Sequence, residues 1–191
     1  MTGAAFSMFE TPIGTAAVAW RGEALLATWL PETGQDRLRE AIRRRFPDAK
    51  AAIPPEPVAE LIAAIVRLLD GKLEDLRLAQ LDLEGVPEFD ARVWAAARDI
   101  PPGTTITYGA LAAAIGEPGA ARAVGAALGR NRFPIVVPCH RILAASGSGG
   151  FTAPGGRTTK MRLLEIERAT LPGEAPGLFD ALPMRLAPER N

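Results

Sequence analysis

Residues 131–142 read NRFPIVVPCHRI, and they carry the only cysteine, Cys139, and the only histidine, His140, of the 191-residue chain. The apolar run Ile135–Val137 has the composition of a buried strand, and we predict that the proline after it ends the strand and presents the cysteine there. A lone cysteine is more often a small buried hydrophobe than a nucleophile. Here, however, His140 and Arg141 follow it directly, and a cationic environment lowers the pKa of a thiol below its usual ~8.5.

Charge is unevenly distributed along the chain. The 22 Lys and Arg residues balance 22 Asp and Glu residues, and a net charge of zero by itself argues against a nucleic-acid partner. Between Thr104 and Lys160, however, six basic residues stand against one acidic residue, so this zone carries +5 and the remainder −5. The cysteine and the histidine lie inside the zone, which therefore predicts a face that attracts an anionic partner.

The composition narrows the class of protein. Hydrophobic residues make up 48% of the chain and charged residues 23%, which is typical of a folded globular protein. No apolar run approaches the roughly 18 residues that span a bilayer, and the first residues lack the pattern of a secretory signal. A single cysteine excludes an internal disulfide framework and a multi-cysteine zinc site. We therefore expect a cytoplasmic protein with no membrane segment and no metal.

The N-terminal part is predicted to be α/β. Two short apolar stretches, residues 16–20 and 24–30, flank Arg21-Gly22-Glu23 and predict a β-hairpin. Apolar residues at helical spacing predict helices over residues 35–46 and 57–69. The arginines on the outer face of the first of these helices are predicted to be solvated, and a binding surface is the alternative.

A mostly helical second unit begins near Val86. Its first helical pattern stops at Pro101-Pro102-Gly103, and two further patterns, residues 108–115 and 120–130, match a helix-turn-helix. The sequence thus predicts an α/β N-terminal domain with a small antiparallel sheet, followed by a mostly helical domain with a helix-turn-helix. The boundaries we predict are residues 1–85 for the first domain, 86–171 for the second, and 172–191 for a proline-rich tail.

The second helix of the predicted pair is unusually thin, and Arg122 projects from its first turn. Such a helix can press its backbone into a DNA groove, and its N-terminal N–H groups can receive a phosphate. Close packing inside a core, with Arg122 merely solvated, explains the same composition. The residues with almost no side-chain bulk are Ala120, Ala121, Ala123, Gly125, Ala126, Ala127 and Gly129.

The run Ile135–Ile142 resembles the active-site signature of the O6-alkylguanine-DNA alkyltransferases, also called methylated-DNA–protein-cysteine methyltransferases. The resemblance extends from about Phe89 to Glu167, whereas the N-terminal part matches only loosely. The other segments that carry it are residues 100–105, 108–112, 121–125, 130–131, 155–156, Lys160, 163–164 and Glu167.

The resemblance implies direct-reversal DNA repair. The alkyl group of O6-alkylguanine, and by extension O4-alkylthymine, would move irreversibly to Cys139 after the nucleotide is flipped out, once per protein molecule. His140 would be the general base, acting through a water and oriented by Glu167. Asn131 would brace the active-site turn, and Tyr108 would donate to the leaving guanine.

The same resemblance implies the partner. We expect a monomer without a cofactor that binds double-stranded DNA bearing the lesion, with Arg122 filling the gap left by the flipped nucleotide. The other residues assigned to DNA on this basis are Ala121, Ala123, Gly125, Arg130, Arg132, Arg141 and Lys160.

The sequence departs from the family's pattern at several points. Arg132 follows Asn131 where the family commonly has proline, and Phe151 stands where tyrosine is frequent. The loop around Thr152-Ala153-Pro154 is longer than usual, so no base-contacting residue can be assigned in it. The N-terminal part has no cysteine or histidine, so the structural zinc and the second acceptor cysteine of some relatives are absent.

Two other functions compete with this one. A lesion-binding module of the alkyltransferase-like kind flips alkylguanine without transferring the group, but such proteins lack the acceptor cysteine that this chain has at position 139. A cysteine hydrolase would also use a Cys–His pair, yet adjacent Cys-His is not the arrangement of those enzymes, and a hydrolase would turn over repeatedly.

Overall fold

The computed structural model of the chain describes residues 3–31, 34–145, 149–153 and 155–170. Within these ranges the N-terminal part forms a four-stranded sheet in the order β3-β2-β1-β4. The strands are β1 (Ala5–Thr11), β2 (Gly14–Arg21), β3 (Ala24–Trp29) and β4 (Lys50–Ala51). The predicted hairpin is confirmed as β2–β3. The predicted antiparallel sheet is correct for β1–β3 only, because β4 pairs parallel with β1.

Two helices pack on this sheet. Helix α1 (Gln35–Arg45) buries Leu38 and Ile42 against β2, and helix α2 (Glu56–Leu69) buries one apolar face that includes Ile65. Both helices agree with the sequence prediction to within one residue at each end. Past them, Leu81 forms an isolated parallel bridge with Leu25, so this segment pairs with β3 at a single position.

The helical part contains α3 (Glu88–Arg98), α4 (Tyr108–Ala114), α5 (Ala121–Gly129) and α6 (Gly156–Ile166). Thr107 caps α4 by accepting a hydrogen bond from the Ala110 N–H at 3.1 Å. Helices α3, α4 and α5 pack on one another, and the indole N–H of Trp94 donates to the Ala127 carbonyl at 3.0 Å. A short parallel pair, β5 (Ile106–Thr107) and β6 (Ile142–Leu143), ties α4 to the segment after the cysteine.

The hydrophobic core runs without a break from the sheet into the helical part. Trp20 and Ile65 from the first part belong to the same buried cluster as Trp94 and Phe133 from the second. Phe133 is fully buried and meets Trp94 edge to face, with ring centroids 5.8 Å apart. The predicted domain boundary near residue 86 therefore stays a prediction, and the predicted tail of residues 172–191 lies outside the described residues.

The sheet directly supports the turn that precedes the cysteine. The Thr28 N–H of β3 donates to the Arg132 carbonyl at 3.0 Å, and the Thr28 hydroxyl donates to the Pro134 carbonyl at 2.7 Å. The N-terminal part thus buttresses the segment that carries the chemistry. Among the described residues, no helix is both long and apolar enough to cross a membrane.

Replacing Phe133, whose ring joins the N-terminal part to the helical part, should destabilise the protein strongly. We expect Phe133→Ala to lower the free energy of unfolding by about 3–5 kcal/mol, because the buried ring is lost and a cavity remains. Urea unfolding followed by circular dichroism measures this change. The matched control is Leu78→Ala, whose side chain is 93% exposed and should change stability by less than about 0.5 kcal/mol. Equal effects of the two substitutions would show that Phe133 does not join the parts.

Candidate active site

The segment before the cysteine is a strained turn and not a strand. Ile135 has a φ of 72°, in the left-handed region that a β-branched residue rarely adopts. The Val137 N–H donates to the Phe133 carbonyl at 2.8 Å, which closes the turn, and Cys139 begins a short 3₁₀ turn, Cys139–Arg141. The predicted strand Ile135–Val137 is therefore wrong, because the chain folds back on itself between the two flanking prolines.

Asn131 spans this turn. Its amide Nδ2 donates to the Val137 carbonyl at 2.9 Å and lies 3.4 Å from the sulfur of Cys139, in hydrogen-bonding geometry. Its Oδ1 accepts from the Phe133 N–H at 2.8 Å. One side chain thus fixes both ends of the turn and places a donor on the thiol.

His140 pairs with a carboxylate that the sequence places 27 residues away. Glu167 caps the C-terminus of α6, and its Oε1 lies 2.9 Å from Nε2 of His140. Both side chains are buried. The other ring nitrogen, Nδ1, is buried too and has no hydrogen-bond partner in the described part of the chain. The pairing of Nε2 with the carboxylate fixes the tautomer that keeps Nδ1 unprotonated.

Burial sets the ionisation of these groups. Burial lowers the pKa of His140. The neighbouring Glu167 acts in the opposite direction but offsets only part of this effect. The pKa of Glu167 lies well below its usual range: burial acts against this, but hydrogen bonds and charge interactions with His140 and Arg141 outweigh it. The site therefore holds a carboxylate beside a neutral imidazole.

The thiol does not have the lowered pKa that its neighbours in sequence suggest. Burial raises the pKa of Cys139, and the Asn131 hydrogen bond and the Lys160 ammonium reduce this effect without reversing it. The guanidinium of Arg141 points to Glu167 instead of the sulfur. Cys139 consequently needs a base before it can act as a nucleophile.

Two residues assigned to DNA are buried inside the protein. Arg141 is 4% exposed and donates to both oxygens of Glu167, and Lys160 is fully buried with its Nζ donating to the Ile142 carbonyl at 2.6 Å. Burial also lowers the pKa of Lys160 to about 8. Their assignment as DNA contacts is wrong, because neither cation reaches the surface.

Two other arginines have partners within the protein. Arg130 binds the buried carboxylate of Asp90, at the start of α3, through Nε at 2.7 Å and Nη2 at 2.8 Å. Arg132 donates to the Asp82 carbonyl at 2.6 Å, and its guanidinium carbon lies 5.4 Å from the centroid of the Phe133 ring. Their assignment to DNA stays a prediction.

A cavity of about 600 Å³ opens onto Cys139, a volume within the usual range of small-molecule sites. It lies between the start of α4, one side of α5 from Ala121 to Gly129, and the loop around residues 149–152. The Tyr108 hydroxyl donates to the Gly150 carbonyl at 3.3 Å. Gly149 has a φ of 69°, and a Cβ there would lie 2.9 Å from the Tyr108 ring, so only glycine fits.

Helix α5 has a buried side and an exposed side, so core packing accounts for only part of its thin composition. Val124, Ala127 and Leu128 are buried in the core, while Arg122 and Ala123 are exposed. Ala121 and Gly125 line the cavity beside them. Among the described residues, Arg122 forms no ion pair with a carboxylate.

Sequence reasoning missed several contacts that hold the site together. Asp90, Thr28 and the Arg141–Glu167 pair have no local signal, because each contact joins residues at least 26 positions apart.

The described residues contain no group of three or more His, Cys, Asp or Glu side chains that could hold a metal ion.

The fold and the site together define an α/β protein in which a buried cysteine lies beside a histidine–carboxylate pair. Residues 88–169 match the family model of the 6-O-methylguanine DNA methyltransferase DNA-binding domain. The methylated-DNA–protein-cysteine methyltransferase of Mycobacterium bovis is 36% identical over 179 residues, covering 92% of this chain and 98% of that protein. The chain therefore belongs to the methylated-DNA–protein-cysteine methyltransferase family.

Two further similarities agree with this membership. The methylated-DNA–protein-cysteine methyltransferase of Methanothermobacter thermautotrophicus is 38% identical over 138 residues, covering 72% of this chain and 74% of that protein. The crystal structure of Mycobacterium tuberculosis OGT in complex with DNA superposes with a TM-score of 0.67 at 34% identity, covering 85% of this chain and 92% of that one. The similarity thus includes the N-terminal part as well as the cysteine segment.

Proposed function

We propose that this protein repairs DNA by moving the alkyl group of O6-alkylguanine onto its own Cys139. The observation that carries the proposal is one arrangement of side chains. A buried thiol lines a cavity of about 600 Å³, with a donor from Asn131 on the sulfur and with His140, which pairs with Glu167, next to it in the chain. Family membership supports the same activity.

The first step is removal of the thiol proton. Because burial raises the pKa of Cys139 and lowers that of His140, the resting site holds a neutral thiol and a neutral base. We infer that Nδ1 of His140 takes the proton through one water molecule. The imidazolium that forms is stabilised by the Glu167 carboxylate at 2.9 Å from Nε2, as in a hydrolase triad.

The second step is in-line displacement at the alkyl carbon. A lone pair of the Cys139 thiolate forms the S–C bond while the C–O6 bond breaks, and its electrons remain with the guanine. The guanine then gains a proton, which Tyr108, hydrogen-bonded at the cavity rim, is placed to assist. The product is a thioether that does not pass the group on, so each protein molecule acts once.

The target carbon lies inside the base stack, so the nucleotide must leave the duplex, at a cost of a few kcal/mol. We infer that α4 and α5 act as the DNA-binding helix-turn-helix. The small exposed residues of α5 let the helix approach the minor groove, and Arg122 is placed to enter the duplex. The wall of α5 that carries Ala121 and Gly125 also lines the cavity, so the flipped base has a short path to Cys139.

Removing the Arg122 side chain should slow repair in duplex DNA and leave the alkyl-transfer step itself largely unchanged. We expect Arg122→Ala to slow transfer from a duplex by roughly tenfold or more, with little effect on free O6-methylguanine base, which needs no flipping. Single-turnover rates on the two substrates measure this difference. Arg39→Ala, a charge-matched change on the exposed face of α1, is the control and should leave both rates unchanged. An equal slowing on both substrates would contradict the flipping role.

Stoichiometry tests the proposed function as a whole. With excess duplex carrying O6-methylguanine, we expect lesions to disappear until one has been repaired per protein molecule and then to stop. A lesion-binding module would bind the duplex and repair none. A cysteine hydrolase would continue past one.

We also propose that the protein acts as a monomer, since one chain supplies every side chain of the site. We further propose that it acts in the cytoplasm.

A further inference from the structure

The Arg141 side chain donates three hydrogen bonds next to His140. Its Nε donates to Oε2 of Glu167 at 2.8 Å, its Nη2 donates to Oε1 at 2.8 Å, and its Nη1 donates to the Ile100 carbonyl at 2.6 Å. The Arg141 side chain is 5% exposed and that of Glu167 2%. A surface role in binding DNA does not account for a buried guanidinium with these bonds.

We propose that Arg141 is a positioning residue for alkyl transfer: its guanidinium fixes the plane of the Glu167 carboxylate that orients His140, and its positive charge offsets that of the carboxylate beside the imidazole. This inference rests on the proposed function, because it concerns the base of the same reaction. It replaces the DNA contact that the sequence suggested for Arg141.

The positioning follows from the geometry of the pair. Oε1 of Glu167 accepts from Arg141 and from His140 Nε2, at 2.8 Å and 2.9 Å. The carboxylate cannot rotate without breaking two charge-assisted bonds, which are the strong kind. Because Nη1 is tied to the Ile100 carbonyl near the end of α3, the guanidinium is itself held from a second element. The ring of His140 is therefore oriented by groups outside its own turn, namely the Glu167 carboxylate and, through Arg141, the Ile100 carbonyl.

The charge of Arg141 has a separate consequence. A buried carboxylate with no other partner would favour the imidazolium form of His140, and a protonated histidine cannot accept the thiol proton. Arg141 offsets the carboxylate charge and thereby lowers the pKa of His140, adding to the larger effect of burial. Among the other charged groups, Lys160 of α6 also lowers this pKa, while Glu167 raises it.

Further charged groups lie on the far side of Arg141. Asp75, Arg77, Arg98 and Asp99 line a cavity of about 330 Å³ that also touches Arg141. Asp75 is bound to Arg77 at 2.7 Å, so its charge is largely offset. The main ionic partner of Arg141 among the described residues is Glu167.

The test compares two substitutions that separate geometry from charge. Arg141→Gln removes both, and we expect slower transfer from O6-methylguanine duplex and an acid limb of the rate–pH profile moved upward by about one pH unit or more, because His140 protonates more readily. Arg141→Lys keeps the charge but loses the planar fork. We expect its acid limb to stay near that of the wild type while its plateau rate falls roughly tenfold.

A matched arginine outside the site controls for loss of stability. Arg98 donates to the Leu76 and Ala79 carbonyls, so we expect Arg98→Lys to lower the melting temperature without moving the plateau rate or the pH profile. Folded Arg141 variants with the wild-type rate and profile would overturn the inference. If the wild-type protein itself transfers nothing, the proposed function fails and the role of Arg141 in catalysis fails with it.

A measurement on the wild-type protein does not depend on how the variants fold. His140 is the only histidine in the chain, so its ring nitrogen signals in ¹⁵N NMR are unambiguous. We expect a neutral ring at neutral pH, protonated on Nε2 and unprotonated on Nδ1. A doubly protonated ring at neutral pH would overturn the charge role of Arg141, whereas the transfer activity could still be intact.

Discussion

Cys139→Ala abolishes alkyl transfer and leaves binding to duplex DNA largely intact; this is the largest effect that we expect from a single substitution. The acceptor atom is lost, and no other cysteine in the chain can replace it. The surface proposed to bind DNA, the exposed side of α5, contains no atom of this side chain. Loss of methyl from a labelled duplex measures transfer, and fluorescence anisotropy with the same duplex measures binding.

The outcome for binding decides what kind of residue Cys139 is. Cys139 is 8% exposed and packs in the hydrophobic core, so a purely structural role would be revealed by joint loss of binding and fold. Retained binding without transfer is the result that the proposal requires. Transfer that persists in the Cys139→Ala variant would show that another atom accepts the alkyl group.

His140→Asn should give the second largest effect, a fall in the transfer rate of about 10²–10⁴-fold at neutral pH, the usual contribution of a general base. Burial raises the pKa of the Cys139 thiol, so without a base very little thiolate forms at neutral pH. As the pH rises toward the thiol's own pKa, the thiol ionises unaided. The difference between variant and wild type should therefore shrink in alkaline solution.

Rate–pH profiles under single-turnover conditions measure this convergence. Asn is close to His in size and keeps a polar group in a buried position, so circular dichroism of the variant is expected to match the wild type. A deficit of the same size at every pH would contradict the role of general base and would point to a structural defect. The transfer rate of Glu167→Gln is expected to lie between those of the wild type and of His140→Asn. In that variant the base remains, but its orientation and its charge partner change.

Much of the fold follows from local patterns. Apolar periodicity predicts α1 and α2, and the short stretches around Arg21-Gly22-Glu23 predict the β2–β3 hairpin. The two helical patterns, residues 108–115 and 120–130, predict α4 and α5 as separate helices. These elements form where the sequence predicts them because each buries one regular face.

Other features depend on contacts that no local pattern contains. The run Ile135–Val137 is apolar enough for a strand, but Pro134 and Pro138 bound it and Ile135 takes a left-handed φ of 72°. The tertiary hydrogen bonds of Asn131 and Thr28 hold that turn. The structure therefore replaces a strand end by a strained turn as the support of the cysteine.

The net charge of the zone between Thr104 and Lys160 likewise does not reveal which of its cations are exposed. Of its six basic residues, Arg141 and Lys160 are buried, and Arg130 is paired with Asp90. Arg122 and Arg157 are exposed, and so is Arg130 despite its bond to Asp90. Fewer cations of this zone reach solvent than the sequence suggests. We therefore infer that few phosphate contacts hold the DNA and that recognition depends mainly on the flipped base.

The most direct test of the account is to incubate the protein with a duplex containing one O6-methylguanine and to locate the modification by mass spectrometry. We predict an intact mass that increases by one methyl group per protein molecule, with the added group on the peptide that contains Cys139. An unchanged mass while the duplex is bound, or a methyl group on any other residue, would contradict the account.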